Sequence, residues 1–187
     1  MELIGALLNM AVMLGIYPSY QSFVIENKDV RWVHVYEYDT TASLLEPKII
    51  AEMKSHAWIR NVQKDGDDIT ADLVNYKIDY QKYGGTFFRT SNIVRTGLWN
   101  GRIKISVKNG KYRVIVYGLH YLAVLPKQTA GKMSHEAIPV SGTLTEWALT
   151  KYRDSFKKSR FENLDILHFN LKEIFTVVPD KVEDASW

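Results

Sequence analysis

Arg102–Tyr117 reads RIKISVKNGKYRVIVY, and its interpretation decides the fold. Asn109-Gly110 is a preferred pair for a two-residue type I′ turn, in which both central residues need positive φ. Such a turn sets the register of the strands beside it. Lys108 faces Lys111, Val107 faces Tyr112, Ser106 faces Arg113, Ile105 faces Val114, Lys104 faces Ile115 and Ile103 faces Val116. One face of the hairpin then carries Ile103, Ile105, Val107, Tyr112, Val114 and Val116. The other carries Arg102, Lys104, Ser106, Lys108, Lys111 and Arg113, with Ile115 and Tyr117. A slip of one residue would send the charges into the core, so pattern and turn specify each other. The hairpin sets architecture and carries no catalytic signature.

Working outward, 187 residues fit one domain, or one domain with an appendage. A hydrophobic fraction of 46% is that of a folded globular chain. The 24 Lys and Arg exceed the 21 Asp and Glu by only +3, short of the basic dominance of a dedicated nucleic-acid binder. With no cysteine, a disulfide framework, a thiolate zinc site and a cysteine nucleophile are all excluded.

On the N-terminal side, Leu3–Tyr17 is an uncharged apolar run interrupted by Asn9. It is shorter than the about 20 residues of a membrane span and matches the length of a signal-peptide core. Glu2 replaces the usual basic residues before it, and no A-x-A site follows. The expectation is that Met1–Ser22 is a leader that directs export. A helix packed on the domain and an uncleaved anchor are the alternatives. Val30–Asp39 is a β-branched and aromatic strand, with Trp32, His34, Tyr36 and Tyr38 on one face and Val33 and Val35 on the other. Ser43 and Glu46 have capping-box spacing, with Pro47 in the first turn of a helix predicted from Leu44 to Trp58. Lys64–Asp68 is a turn, Ile69–Tyr80 a second strand with Val74, Tyr76, Ile78 and Tyr80 on one side, and Thr86–Val94 a short edge strand. Asn100-Gly101 is a second turn signal.

On the C-terminal side, the last hairpin strand continues through His120–Leu125, with a bend at Gly118. Pro126–Gly142 is a linker. Thr143 and Glu146 open a basic helix with Leu149, Tyr152 and Phe156 on its stripe. A final helix begins near Asn163, is striped by Leu164, Leu167, Leu171, Ile174, Phe175 and Val178, and stops at Pro179. The organisation expected is a leader over 1–22, a sheet-and-helix domain over 23–125, a linker over 126–142 and C-terminal helices over 143–187.

The five histidines, His34, His56, His120, His135 and His168, have no metal-ligand spacing. No nucleophile elbow, P-loop or dinucleotide motif occurs. No catalytic residue, metal ligand or cofactor is therefore assigned.

The first strand holds W-x-x-V-x-x-x-D from Trp32 to Asp39, and the hairpin holds V-K-N-G-K-Y-R-V from Val107 to Val114. With Trp99, Gly101 and Ile103, these motifs resemble a family of uncharacterised bacterial exported domains with a fold like that of the TATA-binding protein. The resemblance covers about residues 24–124. It implies an α+β fold in which helices pack on one face of a curved antiparallel sheet, with extra C-terminal helices and export from the cytoplasm. It lends no catalytic residues.

The function expected is that of a non-enzymatic exported binding domain, with a cytoplasmic location as the alternative. Val33 and Val35 join the apolar hairpin face toward the helices. Trp32, His34, Tyr36, Arg102, Lys104, Arg113, Ile115 and Tyr117 line the other face, suited to a protein or to an anionic or sugar-like ligand. The alternative is that the C-terminal helices cover that face too. A nucleic-acid-binding module on the open face is a second reading, disfavoured by the net charge of +3. Membrane contact is expected only through the N-terminal apolar segment.

Overall fold

The hairpin forms in the register expected, from Lys108 opposite Lys111 to Ile103 opposite Val116. Its turn differs in type. Gly110 takes φ +74 but Asn109 is not in the left-handed region, so the turn is not type I′. The tip is tied to neighbouring chain instead. Asn109 Oδ1 accepts from Ala42 N at 2.9 Å, and Gly110 N donates to Thr40 O at 2.9 Å. The turn with positive φ at both central residues is Asn27-Lys28, at 53 and 61.

The computed structural model describes residues 18–129 and 132–177. In chain order the elements are β1 (Ser19–Tyr20), β2 (Phe23–Glu26), β3 (Asp29–Glu37), α1 (Ala42–Ser55), β4 (Ile59–Asp65) and β5 (Asp68–Lys77). There follow α2 (Asn92–Thr96), β6 (Leu98–Lys108), β7 (Lys111–Thr129), β8 (Lys132–Thr143), α3 (Leu144–Ala148), a 3-10 turn (Lys158–Arg160) and α4 (Phe161–Ile174). They form an eight-stranded antiparallel sheet in the order β1-β2-β3-β7-β6-β5-β4, with β8 paired to β7. The fold is α+β, a curved sheet carrying its helices on one face. Gly118, at φ +62, divides β7. Before it, Lys111–Val116 pairs with β3; after it, His120 onward pairs with β8.

The helix layer follows the sequence periodicity. Leu45, Ile49 and Met53 of α1 are buried, as are Leu164, Leu167, Leu171 and Ile174 of α4. They meet Ile69, Leu73, Ile103, Ile105, Val114 and Val116 from the sheet. Each aliphatic side chain so buried contributes about 1.5–3 kcal/mol.

Several expectations are corrected. Val33 pairs with Ile115 and Trp32 with Val116, so Trp32, His34 and Tyr36 share the helix-covered face and Val33 and Val35 the open one. The aromatic row buries far more area than two valines, which favours turning it toward α4. Strand structure begins at Ser19, before Val30, and Phe23 is fully buried. Residues 18–22 thus belong to the fold, while the predicted leader core Leu3–Tyr17 lies outside the described residues. The first helix starts after Thr41, which makes no side-chain cap, and ends at Ser55, so Ser43 is no N-cap and Pro47 lies beyond the first turn. Trp58 precedes the unforeseen strand β4. Thr86–Val94 is no strand: a turn ends at the N-cap Ser91, and Asn92–Val94 belong to α2. The linker over 126–142 does not exist as such, since Pro126–Thr129 and Lys132–Thr143 continue β7 and β8. The Thr143–Glu146 capping box is present, but its helix ends at Ala148. Leu149 then bridges Phe156 and Tyr152 is 77% exposed, so the basic stretch is a loop. Val178 and Pro179 lie outside the described residues. Among the described residues no helix is long and apolar enough to cross a membrane.

Candidate binding face of the sheet

The face opposite the helices is built from rows set by strand register. Val35, Arg113, Ser106 and Asp68 form one row. Val33, Ile115, Lys104 and Thr70 form the next, and Tyr117, Arg102 and Asp72 a third. Lys104 Nζ reaches Asp68 Oδ2 at 2.7 Å, and Ser106 Oγ donates to Asp68 Oδ1 at 2.5 Å. These two contacts, Lys104 first, hold the Asp68 carboxyl below its ordinary range.

Beyond the third row, three neighbouring strands are irregular side by side. Register shifts between Leu73 and Tyr76 in β5, where Asn75 takes φ 51, and between Asn100 and Arg102 in β6. Gly118 of β7 lies alongside. Bulges re-aim side chains and strengthen local twist. Here they open a depression of about 450 Å³ lined by Asp72, Asn100, Arg102, Tyr117 and His120. Asn100 Oδ1 accepts from Asn75 N at 2.9 Å, so its amide group spans the gap and keeps its donors for other use. His120 Nδ1 lies 3.1 Å from Gly118 O, an acceptor only, so Nδ1 carries the proton and neutral His120 offers Nε2 as an acceptor. Asp72 Oδ2 accepts from Asn61 Nδ2 at 2.7 Å. Among the described residues Arg102 has no ion-pair partner within 4 Å.

The residues singled out from sequence thus divide between the faces. Arg102, Lys104, Arg113 and Tyr117 share the open face, with Arg102 directly opposite Tyr117. Trp32, His34 and Tyr36 do not join them and instead dock α4. Trp32 is fully buried, and Tyr36 stacks on Tyr112 at 4.7 Å and donates to Lys172 O at 2.8 Å. His34 Nδ1 is 2.9 Å from Ser22 Oγ. Asp72, Asn100 and His120 are not legible as site residues in the sequence, because Asn100-Gly101 imitates a turn and a bulge has no residue signature of its own. The glycine at 118 was the one available signal. Among the described residues no group of at least three His, Asp or Glu is placed to hold a metal ion.

No protein-family model matches the chain, and no curated protein matches it. Two solved structures are similar to it over most of their length. One is a DUF4468 family protein from Bacteroides ovatus, 14% identical, with 86% of this chain and 93% of that chain covered at a TM-score of 0.48. The other is a TBP-like protein from Parabacteroides distasonis, 12% identical, with 83% and 93% covered at a TM-score of 0.49. Both are bacterial, and neither description names an activity or a ligand. At such scores nothing about a ligand follows from the likeness.

Proposed function

We propose that this chain is a non-enzymatic binding domain, exported to the envelope or the medium, that holds a polar ligand on its open sheet face. The ligand sits in the depression between Asp72, Asn100, Arg102, Tyr117 and His120, and its class is anionic or sugar-like. The observation that carries the reading is the alignment of irregularities across β5, β6 and β7, which sets an aromatic ring, a guanidinium with no ion-pair partner among the described residues, an amide and an imidazole around one hollow. A hollow of about 450 Å³ lies within the range of small-ligand sites. Tyr117 offers a ring against which an apolar sugar face can stack, and Arg102 a planar donor fork for a carboxylate. Export is supported by the uncharged run Leu3–Tyr17.

A thermal-shift panel of neutral and acidic oligosaccharides, acidic peptides and oligonucleotides tests this reading, because a ligand that binds only the folded state raises the melting temperature. A stabilising saccharide or acidic compound whose effect disappears in the Arg102→Ala, Tyr117→Ala double variant supports it. Stabilisation by oligonucleotides alone, or an effect that survives in that variant, contradicts it.

A further inference from the structure

We propose a second site at the turn end of the same face, where Lys108, Lys111 and Arg113 line a depression of about 240 Å³ and bind a phosphate or sulfate group. Lys108 and Lys111 are directly opposed across the hairpin. Like charges in that position repel, and the register offers no slip that would part them without turning the charged face inward. Among the described residues no carboxylate forms an ion pair within 4 Å with any of the three. Asp68, across from Ser106, is bonded to Lys104 at 2.7 Å and to the Ser106 hydroxyl, and Arg113 is the last and smallest of the influences on its carboxyl. Glu37 is opposite Lys111 in register, but no ion pair within 4 Å joins them among the described residues. Three cations therefore border one hollow, against a wall formed by Val35, which is 50% exposed.

The chemistry selects a tetrahedral oxyanion. A lone carboxylate satisfies the Arg113 fork and leaves the lysine pair opposed. A dianion with three or more free oxygens can take the fork and a lysine together, and relieves the repulsion between Lys108 and Lys111. The site is separate from the hollow at Tyr117. Tyr117 is four residue steps along β7 from Arg113, roughly 13 Å of strand, so either site can fail without the other.

The test is a backbone-amide NMR titration of the protein with inorganic phosphate, with glucose 6-phosphate, and with phosphatidylcholine vesicles containing phosphatidic acid. Each is compared with sodium chloride at matched ionic strength. Saturable shifts at Ser106, Lys111 and Arg113 with a soluble probe assign a soluble phosphate, and broadening with vesicles alone assigns a lipid headgroup; both support the site. The Lys111→Gln, Arg113→Gln double variant should weaken binding by at least about tenfold, with an equal or higher melting temperature because the repulsion is gone. Shifts that chloride reproduces, shifts that persist in the double variant, or no response to any of the probes would overturn the proposal.

Discussion

Trp32 Nε1 donates to His168 Nδ1 across 3.2 Å, joining the centre of β3 to the buried side of α4. The bond requires His168 to be unprotonated at Nδ1. His34 packs edge-on against His168 with ring centroids 5.8 Å apart. Burial first, then His34 and Lys172, hold the His168 pKa below its ordinary value, against an opposing pull from Asp165. Burial first, then Lys172, lowers that of His34.

These shifts give a pH dependence of definite sign. In each case the fold favours neutral imidazole, so the unfolded chain takes up protons first as the pH falls. The stabilisation is complete above the unfolded histidine pKa of about 6.5 and is lost as the pH drops through the window below it. Melting temperature should therefore fall between about pH 7 and pH 5, and the fall should be shallower in the His34→Gln, His168→Gln double variant. Equal slopes in differential scanning calorimetry would show that the pair does not carry the effect.

Tyr112 anchors the end of the helix layer. Its hydroxyl donates to Phe175 O at 2.6 Å and accepts from Val177 N at 3.1 Å. Burial pushes its pKa up to about 12. Tyr112→Phe leaves both backbone groups without that partner and should cost about 1–3 kcal/mol in urea denaturation. Tyr152→Phe, on a side chain that is 77% exposed, should change stability by less than about 0.5 kcal/mol.

Gly118→Ala isolates the backbone cost of the bend in β7. No atom lies within 4 Å of the Cβ it would add, but φ is +62. The left-handed region penalises a side chain by roughly 1–2 kcal/mol, and stability should fall by that amount. An unchanged midpoint in urea would mean that the strand does not need this conformation.

The hairpin and α4 were legible because each satisfies two signals at once. In the hairpin, alternation coincides with a turn pair; in α4, the stripe from Leu164 to Phe175 keeps one period. What stayed hidden has physical reasons. Arg60, Gln63, Lys64 and Asp65 make β4 look like a loop, which is how an edge strand avoids pairing with other chains. Pro126 and Pro139 argue against strands, yet Pro139 is on β8, an edge strand, and Pro126 is in the part of β7 past its pairing with β6, so a missing N–H is tolerated on the open side of each. The facing of β3 was ambiguous because both its faces are apolar enough to bury. Arg102 and Tyr117 of the candidate site follow from the hairpin alternation; Asp72, Asn100 and His120 depend on how three strands lie together, which no single stretch encodes.

Export, if it proceeds by cleavage, must leave the edge of the sheet intact. Tyr20 stacks on Phe161 at 3.9 Å, its hydroxyl contacts Asp165 at 3.0 Å, and Phe23 is fully buried. Mass spectrometry of the protein from its native host should find a mature N-terminus at or before Ser19, in an exported fraction. An intact Met1 in the cytosol would remove the export proposal, and cleavage beyond Tyr20 would contradict the role of β1.

The claim on which the account rests is that ligand binds the open face while the aromatic row of β3 serves the core. Backbone-amide NMR, titrating the compound that stabilises the protein most, tests it directly. The account predicts that shifts cluster at Asp72, Asn100, Arg102, Tyr117 and His120 and vanish when Arg102 and Tyr117 are both replaced by alanine. Shifts centred on Trp32, His34 and His168 beneath α4, undiminished in that variant, would contradict it.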